Sequence, residues 1–169
     1  GSGGTRYMLG YTISGRYLFA VYALKEKGVA LVEQPMPKTA IDDMAWLTQN
    51  SPLPTVADES LQRLPDVMKA HGVYNGINIK LMKSGIIEAM DIAAIARSAN
   101  IKLMIGCMLE TKLALGWSGH FAAGMGCFSH IDLDPHIEPD LEPFTGGPDY
   151  RAPFYTLSPD LPGIGCKRR

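Results

Sequence analysis

An α/β fold, with a parallel sheet of about five to six strands and helices on its outside, is predicted by three features of the 169-residue chain. Short apolar runs recur every 22 to 28 residues or so, the spacing of one βα unit each. The segments between them have helical signals, and four of the five runs end in or lead straight into an ionisable residue. Charges at the C-terminal ends of successive parallel strands converge on one mouth if the sheet curls into a barrel, and spread along an edge if it stays open. The pattern favours barrel geometry.

The strand runs are ALVE (30–33), TVAD (55–58), INIK (77–80), KLMIG (102–106) and HIDLD (130–134). Before the first of them, Thr12 or Ser14 caps a helix that extends to Lys27 and closes at Gly28, with Lys25 and Lys27 in the last turn, where cations suit the helix dipole. Thr39 precedes IDDMAWLTQN, which has acids in its first turn. Ser60 precedes LQRLPDVMKAHG, a helix weakened by Pro65 near its start. IIEAMDIAAIARSAN shows helical spacing and ends at Asn100; TKLALGWSGHFAAG is similar, loosened by Gly116 and Gly119. Strand and helix in alternation imply right-handed crossovers and a parallel sheet. After Pro135 the chain is rich in Pro and Gly and reads as an extended tail with turns and a short hairpin.

Bulk properties narrow the function classes. A composition 46% hydrophobic and 20% charged is that of a globular domain with a good core. The net charge of −1 provides no basic field for nucleic acid. No apolar run is long enough to span a bilayer and no signal-peptide layout opens the chain, so a cytoplasmic setting is the default expectation. Cys107, Cys127 and Cys166 lack C-x-x-C spacing, which argues for reduced thiols, Cys107 and Cys127 packed, rather than a disulfide framework or a zinc site. His71, His120, His130 and His136 likewise lack ligand spacing. Lys25-Glu26-Lys27 reads as a solvated helix end, Met82, Met104 and Met108 as core or pocket lining, and Gly146-Gly147 as too short for a phosphate loop. GSGG at the start has the composition of a flexible linker or expression scar.

Glu33 and Asp58 end adjacent strands. Two carboxylates brought together need a cation, and a hard divalent metal with oxygen ligands, Mg²⁺, is its natural identity. Such an ion binds a substrate carboxylate and stabilises the enediolate left when an α-proton is removed. Lys80, one strand further on, is the candidate base, its pKa lowered by a nearby metal. Asp132 and Asp134 share a face by the period of two and suit a substrate ammonium. Lys83 reads as a surface or anion contact rather than a second base.

In this order and at these spacings, VEQP (32–35), ADES (57–60), INIKLMKSG (77–85), MIGCMLET (104–111) and IDLD (131–134) closely resemble the barrel domain of the enolase superfamily. The narrower likeness is to its muconate-lactonizing subgroup and, within that, to the dipeptide epimerases. It covers the chain from about residue 10 to its end. The resemblance implies a TIM-like (β/α)7β barrel, incomplete here. It implies Glu33 and Asp58 as two of three Mg²⁺ ligands, Lys80 as one of two acid/base lysines, and Asp132 with Asp134 as the pair holding a dipeptide's α-ammonium group. Glu110 falls where the family has a carboxylate near the active site; it and Lys83 are taken, with Asp132 and Asp134, as candidate substrate-binding residues.

On this reading residues 1–9 are a linker or an altered first strand, residues 10–136 a partial barrel, and residues 137–169 a tail similar to the segment that returns to the family's capping domain. That capping domain, the strand with the opposing K-x-K lysine and the third metal ligand have no counterpart in the sequence. Ile86 stands where a second glycine is usual, and Gly116-Trp117-Ser118-Gly119 lies in a segment usually alanine-rich. The expectation is a truncated or engineered piece of a Mg²⁺-dependent epimerase of L-Ala-D/L-Glu type, inactive alone, that pairs as a homo-oligomer or with a complementing fragment to cover its strand edges. The alternatives are a self-assembling α/β scaffold without catalysis, and a cycloisomerase or o-succinylbenzoate synthase of the same superfamily. An amine-bearing substrate depends on Asp132 and Asp134, whereas a purely anionic one does not.

Overall fold

The structure, a computed structural model, describes residues 28–133, 141–151, 154–157 and 160–169. The expected helix up to Lys27, the linker at residues 1–9, His136 and Asp134 lie outside the described residues. Five strands, β1 (Val32–Glu33), β2 (Thr55–Ala57), β3 (Gly76–Ile79), β4 (Lys102–Gly106) and β5 (His130–Asp132), form one parallel sheet in sequential order, curled as a half-barrel. Crossovers run through α1 (Ile41–Asn50), α2 (Asp66–Ala70), α3 (Leu81–Ser98) and α4 (Lys112–Met125).

Register decides which side chains face which way. Glu33 pairs with Val56, Val56 with Gly76, Asn78 with Met104, and Gly106 with Asp132. Because side chains alternate along a strand, these residues share one face, and Asp58 and Lys80 are the next positions on it, just past β2 and β3. On the opposite face Ala57, Ile77, Ile79, Leu103, Ile105 and Leu133 join the core with Leu47, Val67, Ile92 and Leu115 of the helices. Ile77 and Ile105 are fully buried, and truncating either to Ala would cost about 2–5 kcal/mol. Helices therefore cover the apolar face, and the polar groups collect on the concave one.

Each helix follows from its local sequence. In α1, Asp42 and Asp43 occupy the favourable first turn, Met44 and Leu47 point inward, and the helix stops at Ser51 before Pro52. The helix expected from Ser60 is shorter than its pattern: α2 begins only at Asp66, because Pro65 cannot lie inside a helix but can start one. The run from Leu81 to Ser98 is broken at Gly85, whose φ of 74° and ψ of 177° separate a first turn from the helix proper. Gly85 thus takes the left-handed conformation alone, and Ile86 packs on the core. Thr111 caps α4, its hydroxyl accepting from Ala114 N, and Gly126 at φ 58° closes it in the left-handed conformation.

In place of a single hairpin, the C-terminal segment forms two antiparallel pairs. β6 (Phe144–Gly146) pairs with β9 (Cys166–Arg168), and β7 (Asp149–Arg151) with β8 (Phe154–Thr156). It packs on α4, and this packing explains the glycines there. A Cβ at Gly116 would lie 2.3 Å from Ile164 Cγ2, and one at Gly119 would lie 3.1 Å from the Tyr155 ring. Gly147 in turn admits the Cys166 thiol, 2.7 Å from where its Cβ would sit. Burial, with the charges of Cys107, Cys166 and Glu110, pushes the Tyr155 phenol up to about 12. None of the three cysteines is in a disulfide, and Cys107 and Cys127 pack against the core. Of the methionines read as core or lining, Met104 is buried, whereas Met82 and Met108 are exposed.

Gly116→Ala should destabilise the chain by about 1–3 kcal/mol in urea unfolding, since the tail must shift to admit one methyl. Gly124→Ala, with open space around its Cβ, should instead stabilise by roughly 0.5–1 kcal/mol. Equal effects at the two positions would refute close packing of the tail on α4.

Candidate active site

Glu33 is the last residue of β1. Asn78, inward on β3 and 1% exposed, donates from Nδ2 to Glu33 Oε1 at 2.5 Å. Burial pushes the Glu33 carboxyl above its ordinary range; the Asn78 hydrogen bond opposes this, and the charge of Asp58 adds to it. Asn78 Oδ1 has no partner among the described residues. Its carboxamide occupies space left by Gly106, where a Cβ would come within 2.6 Å of Nδ2.

Asp58 follows β2. Lys80 donates to its Oδ2 and Lys83 to its Oδ1, each at 2.8 Å. Burial raises the Asp58 carboxyl, but the two lysine hydrogen bonds outweigh it and hold the group below its ordinary range. The lysines diverge although they share this carboxylate. Burial depresses Lys80, yet its hydrogen bond and ion pair with Asp58 carry it above the usual lysine value. At Lys83, more deeply buried, desolvation prevails over the same carboxylate and the value falls. The expected lowering of the Lys80 pKa is tied to a nearby metal; in the protein alone, paired with Asp58, the amine is held as an ammonium. Of the reading of Lys83 as a surface or anion contact, the surface half is corrected, because its side chain is only 3% exposed and the anion it meets is the Asp58 carboxylate.

Gln34, at φ 35°, joins the two strand ends. Its Oε1 accepts from Asp58 N at 3.0 Å and Ser60 N at 3.1 Å. Its Nε2 lies within 2.8–3.0 Å of Met36 O, Ser60 Oγ and Tyr74 OH. Asp132 is exposed at the end of β5, near enough for its charge to act on Glu33. Glu110, 3% exposed in the loop after β4, accepts from Met108 N at 2.9 Å. Glu142 is a further buried carboxylate, accepting from Lys112 N at the start of α4 and from Phe144 N.

Sequence reasoning named Glu33, Asp58, Lys80 and Asp132, and the concave face brings these together. It missed Gln34, Asn78 and Gly106. One signal was available for Asn78: it precedes Lys80 by two residues and so shares its face. The described residues contain no group of three His, Cys, Asp or Glu placed to hold a metal. Glu33 and Asp58 alone nevertheless fit the manner of Mg²⁺, which keeps several waters and takes one or two carboxylates.

A curled parallel sheet with its ionisable groups at the C-terminal strand ends defines a (β/α) barrel domain. The chain belongs to the enolase C-terminal domain-like family, whose model matches residues 16–168. Among curated relatives, the L-Ala-D/L-Glu epimerase of Bacteroides thetaiotaomicron is 44% identical over 149 residues, 88% of this chain and 38% of the relative. The substrate-liganded L-Ala-D/L-Glu epimerase of Bacillus subtilis superposes with a TM-score of 0.78 at 31% identity, covering 88% of this chain and 43% of that one. Dipeptide epimerase from Enterococcus faecalis, complexed with Mg and L-Leu-L-Tyr, gives 0.71 at 35% identity, covering 77% of this chain and 38% of that one. The chain thus spans about two-fifths of the length of these relatives. No helix among the described residues is long and apolar enough to cross a membrane.

The two carboxylates bear oppositely on stability. Asp58, lowered, contributes stability present above the unfolded value of 3.8 and lost as pH falls through its folded pKa. Glu33, raised, is destabilising while ionised; stability is regained as pH falls through its folded pKa toward 4.5. In metal-free buffer Glu33→Gln should therefore melt higher than the parent at pH 7, with the gap narrowing as pH falls toward 4.5. Thermal scans across that range check this, and a variant that melts lower at pH 7 would contradict it.

Proposed function

We propose that the chain is the C-terminal barrel portion of a Mg²⁺-dependent dipeptide epimerase of L-Ala-D/L-Glu type, with Lys80 as the group that removes and returns an α-proton. The observation that carries this is the position of Lys80, at the end of β3 on the same concave face as Glu33 and Asp58 and 2.8 Å from the Asp58 carboxylate. Mg²⁺, when bound, supplies positive charge where a substrate carboxylate becomes more negative as its α-proton leaves. Glu33 and Asp58 are the residues that would hold it.

Released from Asp58, the Lys80 ammonium would lose its excess proton to solvent; the neutral amine then accepts the α-proton, and the ammonium so formed returns it. Asp132, with Asp134, holds the α-ammonium group of the dipeptide by charge-assisted hydrogen bonds. Glu110 borders the site from the loop after β4. Lys83 takes no part in proton transfer or substrate contact, because its three N–H groups already have acceptors. Inversion needs a second acid/base group on the opposite face of the α-carbon. The opposing lysine and the third ligand then come from the rest of a barrel, supplied by a longer polypeptide, a complementing fragment or a second copy. Cysteines outside any disulfide suit a cytoplasmic setting.

Proton NMR of L-Ala-L-Glu and its epimer in D2O with Mg²⁺ and this chain tests the proposal. Exchange of one epimer's α-proton without inversion is expected, reduced by about 10²-fold or more in Lys80→Ala. Exchange that survives in the variant would remove Lys80 from the mechanism, and no exchange at any concentration would show that the chain alone does not act on this dipeptide. Asp132→Asn should weaken binding of the amine-bearing dipeptide, as titration calorimetry would record. Unchanged affinity would favour a purely anionic substrate.

A further inference from the structure

We propose that Lys83 is a positioning residue, a permanent internal counter-cation that fixes the Asp58 carboxylate and leaves Lys80 as its exchangeable partner. The inference rests on reading Asp58 as a cation ligand and Lys80 as the acid/base group, and assigns a separate role to a neighbouring residue that the proposed chemistry does not use.

The two lysines meet the same carboxylate in different ways. Lys83 donates to Asp58 Oδ1 at 2.8 Å, to Asp58 O at 3.0 Å and to Asn78 O at 2.8 Å. An ammonium has three N–H groups, so all are used. Two of those acceptors are main-chain carbonyls at the C-terminal ends of β2 and β3, which ties the amine to the sheet itself. Among the described residues Lys80 makes one hydrogen bond, to Asp58 Oδ2. Its side chain is 15% exposed against 3% for Lys83.

Local backbone geometry accounts for the difference. Lys80 is extended, at φ −124° and ψ 124°, and continues the line of β3 toward the mouth. The turn that follows brings Lys83 N to Lys80 O at 2.9 Å and returns the Lys83 side chain beneath the strand ends. Gly85 then breaks the helix at a positive φ, and a Cβ there would meet nothing within 4 Å. Conformation, not space, is therefore what this glycine provides: a short turn that aims Lys83 independently of the long helix after it. Each carboxylate oxygen has its own lysine. When Lys80 leaves Oδ2, Oδ1 remains held and the free oxygen keeps its direction.

Charge and position predict opposite results. If Lys83 acts only as a nearby positive charge, its removal should tighten cation binding. If it orients the ligand, removal should weaken binding despite the lost repulsion, as changes to groups that hold a metal ligand typically do. Mn²⁺ alone is the probe, its binding to the full chain followed by electron paramagnetic resonance in wild type, Lys83→Met and Lys80→Met. Lys80→Met should bind tighter than wild type, and Lys83→Met about tenfold weaker. Binding by Lys83→Met that equals or exceeds wild type would overturn the inference.

A wild-type chain that takes up no Mn²⁺ would instead count against the cation-site reading in this chain. Lys83 is then decided by a metal-free measurement that needs no Lys83 variant. Proton–nitrogen correlation spectra of wild type and Lys80→Met should both show a slowly exchanging ζ-ammonium signal from Lys83. Its loss in Lys80→Met, or exchange with water at the rate of a surface lysine, would show that the amine is not permanently held.

Discussion

The carboxamide of Gln34 sets the spacing of the acidic groups. It directly follows Glu33 in sequence, and its oxygen takes the main-chain N–H groups of Asp58 and Ser60. One side chain therefore fixes the end of β1 against the end of β2. The strand ladder contributes to the same junction through Gln34 N to Val56 O at 2.8 Å. A non-glycine residue at φ 35° is strained by of order 1–3 kcal/mol, and it persists only where its surroundings over-determine it. Here they do: the amide nitrogen is shared among three oxygens, two of which, Ser60 Oγ and Tyr74 OH, also bond each other at 2.9 Å. Two short strands could not hold two carboxylates in a constant relation without this cross-link.

The concave face repeats this logic one strand further on. Asn78 reaches Glu33 because Gly106 on β4 leaves room for its carboxamide, so three strands contribute to the placement of one carboxylate. The arrangement has a cost. Asn78 Oδ1 is buried without a partner among the described residues, a penalty of about 1–3 kcal/mol. The core on the other side of the sheet carries that cost: Ile77 and Ile79, which flank Asn78 in β3, are both sealed beneath helices. A strand that is apolar on one face and chemically committed on the other reads as INIK.

What could be read in the sequence was what repeats. Apolar runs bounded by turn residues located all five strands, with β4 matching KLMIG residue for residue, because burial on the helix side demands β-branched and aliphatic residues. Terminal charges located Glu33, Asp58, Lys80 and Asp132, because period two leaves them on one face. Single contacts between distant segments were not legible. Gly116 and Gly119 look like weaknesses in a helix until the tail is placed on them, and nothing near Lys83 in sequence shows that it will meet two main-chain carbonyls. The helix expected after Ser60 failed for a local reason, since the restriction imposed by Pro65 outweighed an apolar period that continued through it. Gln34 was quoted within VEQP without a role because the four residues its carboxamide bonds lie 2 to 40 residues away.

The charges on the concave face are unevenly distributed. Asp58 has both lysines, and its carboxyl is held low. Among the described residues Glu33 has only the neutral Asn78 amide as a hydrogen-bond donor; burial raises its carboxyl, Asp58 and Asp132 add to this, and the charge of Lys80 opposes it. A fold selected for stability alone would give one lysine to each acid, or an apolar residue in place of Glu33. Instead both lysines pair directly with one carboxylate, and Glu33 feels the Lys80 charge without an ion pair of its own among the described residues. On the proposed reading, a cation held by Glu33 and Asp58 would compete with Lys80 for Asp58 Oδ2 while Lys83 keeps Oδ1. The asymmetry between the two acids would then tie cation binding to release of the Lys80 ammonium, which must still lose a proton to solvent before it can act as a base.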